Sequence, residues 1–188
     1  MEFEGMRMVP ILELGPSQLY LDQSKIEAVE TWFHPEDMAA YEPWPVHHFG
    51  NGRYTLTDGH SRCYAAYKAG ISRIPVVYDT EDIVSGEIGG RLYRADIAWC
   101  ERFHVKSIRD LQNRILPHET YRRLWQERCE RSYNLLTLTT EGERAVIRKR
   151  APGLFLYGAA ADLSRMYFEN SDGDLFMLKN RVLCPEYP

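Results

Sequence analysis

The sequence lacks the hallmarks of several protein classes. Its four cysteines, Cys63, Cys100, Cys129 and Cys184, lie far apart and form no C-x-x-C pair. With no signal-peptide pattern at the start, this spacing favours reduced thiols in a cytoplasmic protein. No apolar run approaches the roughly 18 residues that a membrane-spanning helix needs. We therefore expect a soluble protein without a membrane partner.

Basic residues are not in excess either, since the net charge is -4, which argues against bulk nucleic-acid binding. The charge is uneven along the chain. Residues 1–60 carry ten acids against three Lys or Arg, whereas residues 91–131 carry ten Lys or Arg against six acids. The second segment holds either a modestly basic face or, as is more usual, helix surfaces lined with ion pairs.

What is present is a globular composition, 44% hydrophobic, with patterned elements. Alternation, turn residues and helical spacing predict, in order, a strand over 9–14, a helix over 22–33, a hairpin of 45–49 and 53–57 around Gly50-Asn51-Gly52, a helix from Asp58 to Ala69 closed by Gly70, and a strand over 74–78. Ser24 and Glu27 have the spacing of a capping box for the first helix. The strand after the second helix should lie parallel to the strand before it, or one strand away.

After this α/β part the texture changes. Residues 91–133 have helical spacing, and 134–188 alternate as short strands and loops, including Leu135–Thr140 and a hairpin, or a helix followed by a strand, around 171–174. We predict an α+β protein with a small mixed sheet and helices over 9–90, a helical extension over 91–133 and a small α+β extension over 134–188.

The densest chemistry lies where the hairpin runs into the second helix, in Asp58-Gly59-His60-Ser61-Arg62. The first turn of a helix exposes N–H groups without intrahelical partners, and phosphate can accept hydrogen bonds from them. Gly59 allows close backbone approach, Arg62 offers a two-pronged donor, Ser61 a hydroxyl and His60 a group that exchanges protons near neutral pH. This arrangement suits an anion.

A purely structural interpretation explains the same residues equally well. In it, Asp58 caps the helix, Arg62 pairs with a carboxylate, and His60 is exposed to solvent. The residues alone leave both interpretations open.

Several linked elements resemble the ParB/sulfiredoxin superfamily. They are the strand leading into D-G-H-S-R, the Ala65-Ala66 pair, Gly70, the Ile74-Pro75-Val76 segment, and Pro16-Ser17-Gln18 upstream. The match covers about residues 10–80 and is nearest to the D-G-H-x-R branch. It implies a ParB/sulfiredoxin-like fold in which Gly59, His60, Ser61, Arg62 and Gln18 bind the phosphates of a nucleotide.

The sequence departs from that family at the positions that decide activity. Sulfiredoxins have a cysteine directly after the glycine, where this chain has His60, so sulfinic-acid reduction is not expected. ParB proteins have an arginine where this chain has Tyr20. The serine-kinase-like branch has a carboxylate base where this chain has Gln18, which cannot accept a proton.

The resemblance therefore implies a nucleotide or small phosphate ligand, with phosphoryl transfer or nucleotide hydrolysis as the reaction class. Asp58 and His60 would then handle protons, and Mg²⁺ would accompany the nucleotide without a dedicated protein metal site. The alternative is a non-enzymatic regulatory protein that binds DNA through 91–131 or through the basic segment Arg144–Arg150.

Overall fold

A computed structural model describes residues 2–138 and four later segments, 155–159, 165–169, 175–179 and 182–186. The chain divides into two compact units, Met1–Trp125 and Gln126–Pro188. Within the described ranges, no helix combines the length and the apolar character needed to cross a membrane.

The first unit alternates short strands and helices. Its elements are β1 (Met6–Pro10), β2 (Leu21–Asp22), α1 (Gln23–Glu30), β3 (Trp44–His47), β4 (Thr55–Leu56), α2 (His60–Lys68), β5 (Arg73–Tyr78), α3 (Asp82–Ser85), α4 (Glu87–Arg102), β6 (Ile115–Leu116) and α5 (His118–Tyr121). Short 3₁₀ helices cover Ile11–Glu13, Pro35–Ala40 and Ile108–Asn113, and a π-helical turn covers Arg122–Gln126.

The main sheet of this unit has the strand order β1-β5-β3-β4. β5 is antiparallel to β1 and parallel to β3, and β3 forms an antiparallel hairpin with β4. β3 thus lies between β4 and β5, the strands on either side of α2. A second, two-stranded sheet pairs β2 with β6 in parallel.

α1 and α2 lie side by side and run in the same direction. At their ends, Lys68 of α2 forms an ion pair with Glu30 of α1 at 3.2 Å. Near their starts, Lys25 is close enough to the buried His60 to disfavour its protonated form. The parallel packing places the first turns of both helices together, and the candidate site is there.

The core of the unit includes aliphatic and aromatic residues of the sheet, together with residues of α2 and of the 3₁₀ helix Ile108–Asn113. On β5, Ile74 and Val76 are fully buried, while Val77 points away and is 37% exposed, as the two-residue period of a strand requires. Trp44 and Val46 of β3 are also fully buried. The strands therefore present one closely packed face to the helices.

In the second unit, α6 (Glu127–Leu138) packs against β7 (Phe155–Ala159). β7, β8 (Arg165–Glu169), β9 (Leu175–Lys179) and β10 (Val182–Glu186) form an antiparallel sheet in sequential order. The basic segment 144–150 lies outside the described residues.

The predicted α+β class with a small mixed sheet is confirmed, as are the Gly50–Gly52 hairpin, the second helix and the hairpin between 165–169 and 175–179. The first strand was wrong in position, since it covers 6–10 and continues as a 3₁₀ turn. Residues 135–138 belong to α6, not to a strand. The three-part division of the chain stays a prediction.

The capping-box prediction for α1 was also wrong. The N-cap is Asp22, whose Oδ1 accepts hydrogen bonds from the backbone N–H of Ser24 at 3.0 Å and from its hydroxyl at 2.8 Å. Asp22 is the last residue of β2, which places its carboxylate beside the first turn of α1. The helix therefore begins directly after Asp22, and Ser24 lies inside it.

Neighbouring valines on β5 test the location of the core. Val76→Ala should lower the free energy of unfolding by about 2 kcal/mol, because it leaves a cavity at a fully buried position. Val77→Ala is the matched control, with the same atoms lost from the same strand at an exposed position. Urea denaturation measures both, and equal losses would contradict the assignment of the faces.

Candidate functional site

A buried tryptophan shapes the turn between β4 and α2. Gly59 is the N-cap residue of α2 and has the left-handed φ angle of +75°. The indole N–H of Trp44 donates a hydrogen bond to the Gly59 carbonyl at 3.1 Å. A Cβ at Gly59 would lie 3.0 Å from Cδ1 of Trp44. The glycine is thus required both by its conformation and by this close contact.

No side chain of the described residues caps the start of α2. The first intrahelical bond runs from Cys63 N–H to the Gly59 carbonyl at 2.8 Å. The N–H groups of His60, Ser61 and Arg62 have no protein acceptor within the described part of the chain, and the exposed Asp58 carboxylate makes no hydrogen bond there. The expected cap by Asp58 is therefore absent, and three backbone donors at the positive end of the helix are open.

His60 is buried, contrary to the structural interpretation. Its side chain is 5% exposed, and its Nε2 accepts a hydrogen bond from the backbone N–H of Ser17 at 3.1 Å. The Ser17 hydroxyl donates to the Leu56 carbonyl at 2.7 Å, so its hydrogen is not directed at the imidazole. Because Nε2 accepts, the proton of the neutral ring is on Nδ1.

Burial lowers the pKa of His60 to about 4, against the opposing effect of the Asp58 charge and with a further contribution from Lys25. The ring is therefore neutral at pH 7, and its basic nitrogen is engaged by Ser17. This geometry makes His60 a positioning group that ties the segment after β1 to the first turn of α2. Its catalytic role stays a prediction.

Arg62 is half-buried and lies against a tryptophan. Its guanidinium carbon lies 4.1 Å from the centroid of the Trp44 ring. Among the described residues, no carboxylate lies within 4 Å of it, so the expected salt bridge is absent. Burial lowers the pKa of Arg62, while Asp58 and Glu42 oppose that effect from a distance. The guanidinium thus lies against the Trp44 ring, and its N–H groups donate to no carboxylate of the described residues.

The residues predicted to bind phosphate line one cleft of about 460 Å³. It is lined by Gln18, Asp22, Lys25, Ala28, Val29, Trp32, Glu42, Tyr121 and the whole segment from Asp58 to Arg62. All six predicted site residues thus lie together, including Gln18, which is 40 positions or more from the others. Whether each contacts a ligand stays a prediction.

The charges around this cleft are mixed. Arg62 and Lys25 are cationic, whereas Glu42 and Asp58 are exposed acids on the same cleft. Asp22 also lines it, but its side chain is 1% exposed and accepts hydrogen bonds from other residues of the protein.

The carboxylate of Asp22 accepts hydrogen bonds from Nδ1 of His118 at 2.8 Å and from Ser24. Burial raises the pKa of Asp22, but these hydrogen bonds outweigh burial and hold it below 3.8. By contrast, the exposed carboxylates of Glu42 and Asp58 accept no hydrogen bond from a described side chain. No cluster of three metal-ligating side chains occurs in the described ranges.

Neither Cys63 nor Tyr20 lines this cleft. Cys63 is fully buried in α2, and burial raises the pKa of its thiol well above the usual range. A buried thiol of this kind is unreactive. Tyr20 lines a different cleft, where its ring lies 5.9 Å from the Arg114 guanidinium.

Sequence reasoning missed three residues that shape the site, namely Ser17, Trp44 and Trp32. Ser17 and Trp44 act through contacts 43 and 15 positions away along the chain, which no local pattern reveals. Trp32 did have a signal. Lys25, Ala28, Val29 and Trp32 recur at the spacing of one helical face, and that face is not wholly apolar.

Comparison with known proteins finds no matching family model and no matching curated protein. Among solved structures, the chain is similar to protein Atu1540 from Agrobacterium tumefaciens, with 18% identity, a TM-score of 0.37 and 57% of this chain covered. The match spans 61% of that protein's length.

It is also similar to the C-terminally truncated chromosome-partitioning protein ParB from Caulobacter crescentus complexed with CTP-gamma-S. There the identity is 16% and the TM-score 0.33, with 78% of this chain and 98% of that one covered. Both likenesses are of partial fold and assign no ligand to this chain.

Gly59 is required for its positive φ angle and for its contact with Trp44. Comparison with Gly70, which has a similar φ angle but no such contact, distinguishes the two effects. Gly59→Ala should destabilise more than Gly70→Ala, by about 1 kcal/mol, because only position 59 adds contact with Trp44. Gly70 has a φ of +80° and nothing within 4 Å of an added Cβ, so its variant reports the conformational cost alone. Chemical denaturation measures both, and equal effects would contradict the role of the Trp44 contact.

The burial of neutral His60 predicts a pH dependence of stability. Between pH 6.5 and about 4 the unfolded chain binds a proton at this histidine that the folded chain does not. The free energy of unfolding should therefore fall as the pH is lowered through this window, by up to about 3 kcal/mol.

His60→Gln should remove this part of the pH dependence, since glutamine can still accept from Ser17 but does not titrate. Asp22 and Asp110 have lowered pKa values, so the stability that they contribute is present above pH 3.8 and is lost as the pH falls below it, in both proteins. Urea denaturation at several pH values measures the difference. A parallel decline in wild type and variant would argue against a buried neutral histidine.

Proposed function

We propose that the cleft at the start of α2 binds a nucleotide or another phosphate ligand. One observation carries the proposal. Three N–H groups at a helix N-terminus and the Arg62 guanidinium, none with an acceptor or ion-pair partner among the described residues, line the same cleft. Within the described ranges, these residues form neither the cap nor the salt bridge that a structural interpretation requires.

Each part of the turn suits phosphate. Backbone donors and the helix dipole favour negative charge at the first turn. Gly59 lets an anion approach the backbone, and the Trp44 ring supports the Arg62 guanidinium, a group that can donate two parallel hydrogen bonds to phosphate oxygens. Lys25, one helix away on the same cleft, adds a second positive charge.

The acids of the cleft support a second part of the proposal, namely that Mg²⁺ accompanies the ligand. Glu42 and Asp58 would repel a bare polyphosphate, but Mg²⁺ is commonly held by one or two carboxylates together with substrate phosphates. We assign this role to Glu42, which is exposed on the cleft. A Mg²⁺ nucleotide complex thus suits the mixed charge better than a free phosphate anion does.

For reactivity, phosphoryl transfer or nucleotide hydrolysis remains the class that we propose. Asp58 is the better candidate to accept a proton, because its carboxylate is exposed and not engaged in hydrogen bonds within the described residues. The lone pair of His60 is already engaged by Ser17. Gln18 lines the cleft as a hydrogen-bonding group and not as a base.

DNA binding stays the alternative prediction. In the described part of 91–131, Arg91 pairs with Glu87 at 3.3 Å and Arg122 with Glu119 at 3.1 Å. These contacts favour the ion-paired interpretation of that segment. A gel-shift assay at two salt concentrations tests the alternative, since phosphate contacts weaken steeply as salt rises.

The proposed function is tested by titrating ATP, ADP and CTP with Mg²⁺ and following thermal stability. A ligand at 100 times its dissociation constant should stabilise the wild type by about 2.7 kcal/mol. Arg62→Ala should weaken binding at least about tenfold, because it removes a charge-assisted donor. Arg62→Lys keeps the charge but loses the planar fork, so it should restore binding only in part.

Arg109→Ala is the matched control, because it removes the same charge from an exposed side chain that lines a different cleft. It should bind like the wild type. No stabilisation by any of the three nucleotides, or equal weakening by the Arg62 and Arg109 variants, would overturn the proposal.

A further inference from the structure

One wall of the cleft is apolar and ends in an exposed tryptophan. Ala28 and Val29 of α1 line it together with Trp32, which lies in the turn directly after the helix, four and three residues further on. Trp32 is 45% exposed although it lies in a cleft, whereas the next residue, Phe33, is buried. Large aromatic side chains left open in a cleft are characteristic of ligand sites.

The indole is held in place by its neighbours. Its ring makes edge contacts with Tyr41 at 5.5 Å and with Phe33 at 6.2 Å between centroids. The Tyr41 hydroxyl donates to the Trp32 carbonyl at 3.0 Å and accepts from the His34 N–H at 2.8 Å. The loop after α1 is thus clamped to the end of the helix, and the exposed ring is positioned before any ligand arrives.

The same helix face begins with a charge at the other end of the cleft. Lys25 is close to His60 and hence to the open N–H groups, and Trp32 follows seven residues later. At 1.5 Å per residue, this separates the charged end from the aromatic end by about 10 Å. Such a separation matches an extended molecule that is anionic at one end and flat and aromatic at the other.

We propose that Trp32 is the base-stacking residue of this site, so that the ligand is a nucleoside polyphosphate with its base against the indole and its phosphates at Arg62. This inference rests on the proposed function and makes it specific, because a sugar phosphate or inorganic phosphate would leave the aromatic end unused. Base–aromatic stacking tolerates any base, so Trp32 contributes affinity without choosing between ATP and CTP.

The test compares Mg²⁺-ATP with Mg²⁺-tripolyphosphate, which has the phosphates but no base, by isothermal titration. Trp32→Ala should weaken ATP binding about tenfold or more and leave tripolyphosphate binding unchanged. Trp32→Phe, which keeps an aromatic ring, should retain most of the affinity for ATP. Arg62→Ala should weaken both ligands.

Phe103→Ala is the matched control, since it removes an aromatic ring of similar exposure, 40%, from outside the cleft. It should change neither affinity. Unchanged ATP binding in Trp32→Ala would overturn the inference and leave the proposed function standing. So would equal weakening of both ligands, which would mark Trp32 as a support of the fold. If wild type binds neither ATP nor tripolyphosphate, the proposed function fails and this inference fails with it.

Discussion

The fully buried indole of Trp44 is the contact on which the site depends. Its N–H holds the Gly59 carbonyl, its edge excludes a side chain at that glycine, and its face supports the Arg62 guanidinium. Because β3 is the strand between β4 and β5, the ring projects from the inside of the sheet to the turn. These contacts fix the first turn of α2 to the sheet. Hydrogen-bond donors on such a fixed element need little reorganisation when they bind an anion.

A second buried contact completes this arrangement from the other side. The Ser17 N–H donates to His60, so the segment after β1 is fixed to the same turn, and Gln18 is carried to the cleft. This contact requires a neutral imidazole, which burial supplies. From the sequence, His60 is a candidate reactive group. Its hydrogen bond to Ser17 is better explained as a structural contact between two chain segments.

Local patterns were enough to predict much of the fold. The hairpin at Gly50–Gly52, the α2 helix ending at Gly70 and the strand over 73–78 follow from turn chemistry and from the spacing of apolar residues, which act over a few positions. The gathering of Gln18 with Asp58–Arg62 followed from the resemblance in motif. Tertiary contacts decided the remainder, which could not be predicted. Asp22 replaced Ser24 as a cap because β2 fixes it, His60 is buried because Ser17 covers it, and the start of α2 is open because Asp58 does not turn back to it.

The two parallel helices α1 and α2 differ in how their N-termini are capped. α1 begins with Asp22 as a hydrogen-bonded cap, while the adjacent α2 begins at a bare glycine with three open donors. Because the N-cap of α2 is a glycine, the missing side-chain cap costs only roughly a few tenths of a kcal/mol of helix stability. Asp58 stands next to Gly59, so an acid was available to supply one. The open turn lies in the cleft next to Lys25, Arg62 and Trp32, and the capped one is closed by its own aspartate. An anion bound as we propose would satisfy the same N–H groups, so that folding of the turn and occupation of the cleft would depend on each other.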